Sequence, residues 1–437
     1  MTTHFAYVVT SPPGLRIAVR GGSEFVELEY GSLGAPPQGR SSLLLIVAEF
    51  GNALPLDCSE HQFESDVSAP LRFCFQAAQE ALRNRPSPEQ IALVGIVRPI
   101  QTGTVAEVGL AALACFTRSL AIEAASSGIV IHGVAMNPDQ EMPAPLLHGK
   151  YLPSGAWMDL RPKAAALPTS SPATVKKDQL QARVAVVTGA AQGLGKAISL
   201  GFARRGDAVL FVDSDEARLS AAMAEISSSA GNIRSLIADA SSRGDMALAA
   251  EAALSHWGRL DTWVNNAGIA VRGTIESLTS REWDRVMDTN LKGTLWGSQA
   301  AFHAMQESGG VILNISSTAA RSAGLVYPGC YNAYSPYAAS KAGIEALTRI
   351  LAVCTGPGVR VNAISPGPIV TELTRAIYTS DQRTELERHI PVHRLGEPSD
   401  VASAAIFLAS REASFISGAV FTVDGGLSVC SVGGRWQ

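Results

Sequence analysis

From residue 183 onward the chain repeats one pattern: a short apolar run, then a segment of helix length. The runs are RVAVVTG (183–189), AVLFVD (208–213), IRSLIAD (233–239), LDTWVNN (260–266), GVILNIS (310–316), VRVNAIS (359–365) and GAVFTVDGG (418–426). Apolar runs of this length read as strands buried on both faces, and helical segments between them are the crossovers that parallel strands require. The pattern predicts an α/β fold, a doubly wound parallel sheet of Rossmann type with seven strands, over 181–437. In such a sheet ligands sit at the carboxyl ends of the strands.

The first of those ends carries TGAAQGLG (188–195). Glycines at 189, 193 and 195 permit a tight turn, a close approach of backbone to a pyrophosphate and close helix–strand packing. The helix that follows offers free N–H groups and a partial positive charge to phosphates. Asp213 ends the second strand. A carboxylate there accepts hydrogen bonds from ribose hydroxyls and repels a 2′-phosphate, and Ser214, Asp215 and Glu216 supply no cation. This favours NAD(H) over NADP(H). The plainer reading is that Asp213 caps the next helix.

A second feature is YNAYSPYAASK (331–341), with tyrosines at 331, 334 and 337. Of these, Tyr337 alone has a lysine four residues on, Lys341, which would share its helix face. Taken alone, the pair is a common helix-surface pattern.

Composition narrows the function classes. The chain has 437 residues, 46% hydrophobic and 17% charged, with net charge −4. Two domains and sizeable cores are expected, and nucleic acid is not an expected partner. The six cysteines are scattered, which suggests reduced thiols. With no signal peptide and no apolar stretch of membrane-spanning length, a cytoplasmic protein is expected. His389 and His393 are four apart but separated by Pro391, so no metal site is expected.

Seven ordered motifs together resemble the short-chain dehydrogenase/reductase family over about 181–426: TGAAQGLG, Asp239 in IADAS, NNAG (265–268), Asn290 in DTNLKG, ISS (315–317), YAASK (337–341) and SPGPIVT (365–371). The resemblance implies an oxidoreductase that interconverts a secondary alcohol and a ketone. It implies that Tyr337 is the acid/base and that Lys341 lowers its pKa and holds the nicotinamide ribose. A free tyrosine titrates near pH 10, and a nearby cation favours the phenolate. Ser317 would orient the substrate oxygen, with Ser316 as the neighbouring candidate, and Asn290 would hold a water that relays protons. Cofactor contacts would fall to Gly189, Gln192, Gly193, Leu194, Gly195, Asp213, Asp239, Ala240, Asn266, Ala267, Gly268, Tyr337, Lys341, Pro366, Gly367, Ile369 and Thr371. The interval from Ser317 to Tyr337 is longer than the family commonly has. That places Tyr331 and Tyr334 in an extended loop beside the substrate pocket.

The first 140 residues repeat part of this pattern. ACFTRSLAIEAASSGIVIHGVAMNP (114–138) parallels EALTRILAVCTGPGVRVNAISPG (345–367), SDVSAPLRFCFQAAQ (65–79) parallels MDTNLKGTLWGSQAA (287–301), and LLLIVAEFG (43–51) parallels DTWVNNAG (261–268). In that register Ser68 stands for Asn290, Ala106 for Tyr337 and Leu110 for Lys341. Residues 1–140 are therefore expected to form a smaller, degenerate, non-catalytic domain. Its helices near 68–84 and 106–126 should dock on 283–307 and 337–354, which in the family commonly form the subunit interface. Six prolines between 143 and 172 mark residues 141–180 as a linker. The two-part layout resembles the high-molecular-weight 3-oxoacyl-thioester reductases, whose N-terminal domain is flavodoxin-like.

The expected substrate is a small carbonyl or alcohol, foremost a 3-oxoacyl thioester of coenzyme A or a carrier protein. A sugar, a polyol or another small secondary alcohol is the second reading, and a nicotinamide-sensing binding protein the third. Arginines 375, 383, 388 and 394 would meet thioester phosphates or pair with nearby carboxylates. The expected assembly is a homodimer or homotetramer.

Overall fold

A computed structural model describes residues 5–9, 16–21, 24–29, 43–50, 55–83, 90–97, 104–124, 130–136, 156–159, 182–226, 232–322, 326–327, 330–331, 335–372 and 379–429. Its strands form two seven-stranded sheets and one small hairpin.

The C-terminal sheet contains β8 (Val184–Thr188), β9 (Ala208–Asp213), β10 (Ile233–Ile237), β11 (Thr262–Asn265), β12 (Gly310–Ile315), β15 (Val359–Pro366) and β16 (Val420–Val423). They lie in the order β10-β9-β8-β11-β12-β15-β16, and every pairing is parallel. Between β8 and β11 the order reverses direction, and that crevice is the predicted ligand site. All five residues of β8 are buried, as expected for a central strand covered on both faces. Local signals set the helix ends. Asp215 caps Glu216–Glu225 by accepting from the Arg218 N–H at 3.0 Å. Ser242 caps Arg243–Trp257, which stops at Gly258 in the left-handed region (φ 73°).

The N-terminal sheet contains β1 (Phe5–Val9), β2 (Arg16–Gly21), β3 (Glu24–Glu29), β4 (Leu43–Phe50), β5 (Gln90–Val97), β6 (Val130–Met136) and β7 (Ala156–Asp159). Its order, β3-β2-β1-β4-β5-β6-β7, has the same form as that of the other sheet. The pairings differ. β4 to β7 are parallel, whereas β1, β2 and β3 form an antiparallel meander set against β4. A short meander thus stands where the other sheet has its cofactor half, so the sheet is mixed and departs from an all-parallel flavodoxin-like order. One further correction concerns 141–180. Rather than serving wholly as linker, this stretch contributes β7, an edge strand between Pro153 and Pro162. Proline is tolerated beside an edge strand because fewer backbone donors there need partners.

The two halves repeat a finer detail. In the C-terminal half a Thr279/Glu282 capping box starts the helix Ser280–Val286, which loosens into a π-turn at Met287–Lys292 and continues as Gly293–Met305. In the N-terminal half a Ser59/Gln62 capping box starts Glu60–Phe63, followed by a π-turn at Glu64–Ser68 and the helix Ala69–Arg83.

These helices meet across the halves, as the sequence register predicted. Phe75 stacks on Trp283 with ring centroids 4.7 Å apart, and Phe116 meets the same indole edge-on at 5.2 Å. Phe63 meets Trp296 at 6.0 Å. Val105–Ala124 lies along Ser335–Cys354, where a Cβ added at Gly343 would come 3.4 Å from Val108 Cγ1. Gln79 donates to the carbonyl of Ile275 and to that of Leu278, and Gln299 donates to the carbonyls of Pro55 and Cys58. Arg72 bridges Glu64 and Asp284.

Candidate active site

Asn290 lies in the π-turn, fully buried. A π-turn puts an extra residue into the helix and is frequent at functional sites. Its Oδ1 accepts from the Ile269 N–H at 2.8 Å, and its Nδ2 donates to the Ile269 carbonyl and to Ser340 Oγ, both at 3.0 Å. Ser340 Oγ in turn donates to the Tyr337 carbonyl at 2.7 Å. Hydrogen bonds therefore join Asn290 to the first turns of the helix Ser335–Cys354. Ser340 is the link that sequence reasoning missed, although it sits between the two singled-out residues, Tyr337 and Lys341.

Lys341 is 3% exposed, and its Nζ donates to the Ile315 carbonyl at 2.7 Å and lies 5.5 Å from the Tyr337 ring centroid. Burial lowers its pKa from 10.5 to about 8. Gly268 explains the crowding: a Cβ there would sit 3.3 Å from Asn290 Oδ1 and 3.4 Å from Lys341 Nζ. Tyr337 is half-buried, against Cys115, Ala319, Ala320, Ala338 and Ala342.

The two candidate serines separate clearly. Ser316 is buried and its Oγ bonds the Lys341 carbonyl at 3.2 Å and Glu345 Oε1 at 3.3 Å, so it braces the helix. Ser317 is half-buried at the strand's end, and its Oγ accepts from the Ala319 N–H at 3.2 Å. The hairpin β13 (Val326–Tyr327) and β14 (Cys330–Tyr331) occupies part of the expected extended loop, while Tyr334 lies outside the described residues.

The glycine-rich turn fits a dinucleotide. Gly189 has φ 64°, and a Cβ at Gly195 would lie 2.0 Å from the Gly189 oxygen. Gln192, the N-cap of Gly193–Arg204, makes no side-chain cap bond, so that helix start is not closed by its own cap. Asn266 Nδ2 donates to the carbonyls of Thr188 and Gly189, tying the turn to the end of β11. Leu194 packs into the core beneath. The Asp213 carboxylate accepts from the N–H groups of Ala191 and Asp215, both at 3.0 Å, and the helix cap is Asp215 instead. Asp239 is exposed and accepts from Ser241, beside buried Ala240. Thr371 comes near the turn: a Cβ at Gly193 would lie 3.7 Å from Thr371 Cγ2. Gly367 abuts Asp424 and donates its N–H to the Val423 carbonyl, and Ile369 is buried beyond Pro366 and Gly367.

A cleft of about 550 Å³ is lined by Ile369, Arg394, Phe407, Phe421 and Asp424 among others. It includes none of Asn290, Ser317, Tyr337 and Lys341. Arg388 pairs with Glu385 and Arg394 with Asp400, while Arg375 lies outside the described residues. His389 Nδ1 lies 2.8 Å from the Glu385 carbonyl oxygen, and no metal-binding cluster occurs among the described residues. Among the described residues Cys58, Cys74 and Cys354 are free thiols, and burial pushes the Cys58 thiol up to about 12. No helix among the described residues is long and apolar enough to cross a membrane.

The family profile described as enoyl-(acyl carrier protein) reductase matches residues 189–428. D-threitol dehydrogenase of Mycolicibacterium smegmatis is 36% identical over 253 residues, covering 57% of this chain and 95% of the relative. The 3-oxoacyl-(acyl-carrier-protein) reductase of Thermotoga maritima is 34% identical over 255 residues, 57% of this chain and all of the relative (100%). Among solved structures, a short-chain type dehydrogenase/reductase from Mycobacterium ulcerans matches with a TM-score of 0.53 and 32% identity, covering 57% of this chain and 90% of that one. A 7α-hydroxysteroid dehydrogenase complexed with NADH and 7-oxo glycochenodeoxycholic acid matches with a TM-score of 0.52 at 33% identity, over 56% of this chain and 93% of that one. The fold and these likenesses define a nicotinamide-dependent oxidoreductase acting on CH–OH groups. The chain belongs to the short-chain dehydrogenase/reductase family.

Proposed function

We propose that the chain is an NAD(H)-dependent ketoreductase whose foremost substrate class is 3-oxoacyl thioesters. The observation that carries the reading is the buried Lys341 ammonium, 5.5 Å from the Tyr337 ring and beside Asn290 at Gly268. A bound nicotinamide dinucleotide would supply hydride to the ketone carbon, or accept it from the alcohol carbon in the oxidative direction. Tyr337 Oη gives the developing alkoxide its proton, or takes one in the oxidative direction. Lys341 favours the phenolate and holds ribose hydroxyls, and Asn290 anchors the relay that returns protons from solvent. Ser317 Oγ orients the substrate oxygen. The turn at Gly189, Gly193 and Gly195 would hold the pyrophosphate, and Asp239 and Ala240 would bind the adenosine end. Ala267, Pro366, Gly367, Ile369 and Thr371 would hold the nicotinamide end. Asp213 selects NAD(H), since its carboxylate has no neighbouring arginine or lysine at 214–216.

The thioester preference rests on the likeness to the T. maritima reductase and on the two-part layout. The likeness to D-threitol dehydrogenase favours a polyol as the second reading. Residues 1–140 serve as a built-in partner without chemistry: Ala106 and Leu110, in the positions of Tyr337 and Lys341, are buried.

Consumption of NADH with acetoacetyl-CoA, run beside NADPH and beside oxidation of D-threitol and D-glucose, tests the reading. NADH-specific reduction is expected, with Tyr337→Phe lowering kcat about 10²- to 10⁴-fold. Faster oxidation of D-threitol would transfer the proposal to polyols. NADH binding without turnover of any of these compounds would count against an enzyme of either kind and favour a sensor.

A further inference from the structure

The N-terminal half reaches the segment that carries the proposed reacting groups. Arg118, on Val105–Ala124, donates from Nη2 to the Ala320 carbonyl at 3.3 Å. One turn earlier, the buried Cys115 thiol points at the Ala319 carbonyl at 3.6 Å and packs with Ala338, Ala342 and the side of Tyr337. Ala319 and Ala320 are themselves tied to Ser317, since the Ala319 N–H donates to Ser317 Oγ and the Ala320 N–H to the Ser317 carbonyl at 3.0 Å. The other end of this short helix, Ala319–Ser322, is held by Arg321 against Glu345 and Thr422. A four-residue helix has too few internal hydrogen bonds to fix itself. Its carbonyls need outside donors, and Arg118 is one.

We infer that Arg118 and Cys115 are positioning residues: through Ala319 and Ala320 they hold Ser317 and the Tyr337 turn in register, so the non-catalytic half sets the geometry of the reaction. This rests on the proposed roles of Ser317 and Tyr337. A guanidinium bonded to a carbonyl fixes that backbone with little freedom, and a displacement of about 1 Å at a reacting group costs on the order of 10²-fold in rate.

The test uses the full chain and the variants Arg118→Ala, Arg118→Lys, Cys115→Ala, Tyr337→Phe and Gln76→Ala. Gln76 bonds Ser280 across the same interface, away from the site, and serves as the structural control. With acetoacetyl-CoA and NADH, or with whichever compound of the panel turns over, Arg118→Ala should lower kcat about tenfold. NADH affinity should be unchanged, Arg118→Lys should regain part of the rate because it keeps a donor, and Gln76→Ala should keep full kcat. Hydrogen exchange in the same samples should quicken at residues 317–322 in Arg118→Ala alone of those two variants, a readout that needs no substrate. Unchanged kcat and unchanged exchange in Arg118→Ala and Cys115→Ala, with Tyr337→Phe inactive, would overturn the inference alone. An equal rate loss in Gln76→Ala would also overturn it, by showing a general loss of docking. Should Arg118→Ala not fold, Cys115→Ala and Arg118→Lys carry the same comparison. An active Tyr337→Phe would instead overturn the proposed function beneath it.

Discussion

Lys341 is charged in solution and is carried on folding into a place that disfavours its charge. Its neighbours leave 3% of it exposed, and its pKa falls from 10.5 to about 8. The sign of the linkage follows. Below pH 8 the ammonium is charged in both states and the folded state bears the whole desolvation cost. Between 8 and 10.5 the unfolded chain binds more protons, so stability rises with pH. Relative to Lys341→Met, the wild-type apoprotein should gain about 3 kcal/mol across that window. Urea titrations of both proteins at pH 7.5 and 10.5 would check it, and a constant difference would mean that the lysine is not desolvated. Spacing alone marked Tyr337 and Lys341 only as neighbours on one helix face, and the seven ordered motifs around them, read as a resemblance, singled the pair out. What no spacing could give was Arg118 or Cys115, since each acts through a carbonyl about two hundred positions away in sequence.

Among the elements, the glycine-rich turn is fixed by contact more than by flexibility. A methyl at Gly195 would strike the carbonyl oxygen of Gly189, the first glycine of the turn, and Asn266 Nδ2 at 2.5 Å. Neither is the free end of a mobile side chain, because Asn266 is itself bonded to Thr188 and Gly189. Gly195→Ala should therefore cost about 1–3 kcal/mol and spread the turn away from β11. Isothermal titration should show NADH binding weakened at least tenfold; retained affinity would mean that the turn yields without disturbing the phosphate site. The seven parallel strands were readable because each is a compact apolar run closed by a turn. β7 was not, because AWMD is four residues among prolines and owes its conformation to pairing with β6. The meander β1–β3 was not readable, because the parallels between the halves begin only at residue 43 and nothing before it repeats the cofactor-half motifs.

The molecule as a whole joins its halves through one core. Buried apolar contacts run without a break from Phe63, Phe75 and Phe116 into Trp283, Leu291, Trp296 and Ile344. Large aromatic side chains carry most of the energy in such interfaces, while partly exposed ion pairs such as Arg72 with Asp284 add little. Exposing Trp283 and Trp296 would leave an apolar face on the catalytic half that aqueous solvent does not favour. The halves should accordingly unfold together, with tryptophan fluorescence and far-UV circular dichroism giving one coincident urea transition. Trp283→Ala removes the ring held between Phe75 and Phe116 and leaves a cavity, at a cost of about 3–5 kcal/mol. Since that cost falls on the joint, the variant should unfold in two steps, the N-terminal half first, and should lose kcat at urea concentrations where the catalytic sheet is still folded. Two well-separated transitions already present in the wild type would show that the aromatic joint does not couple the halves.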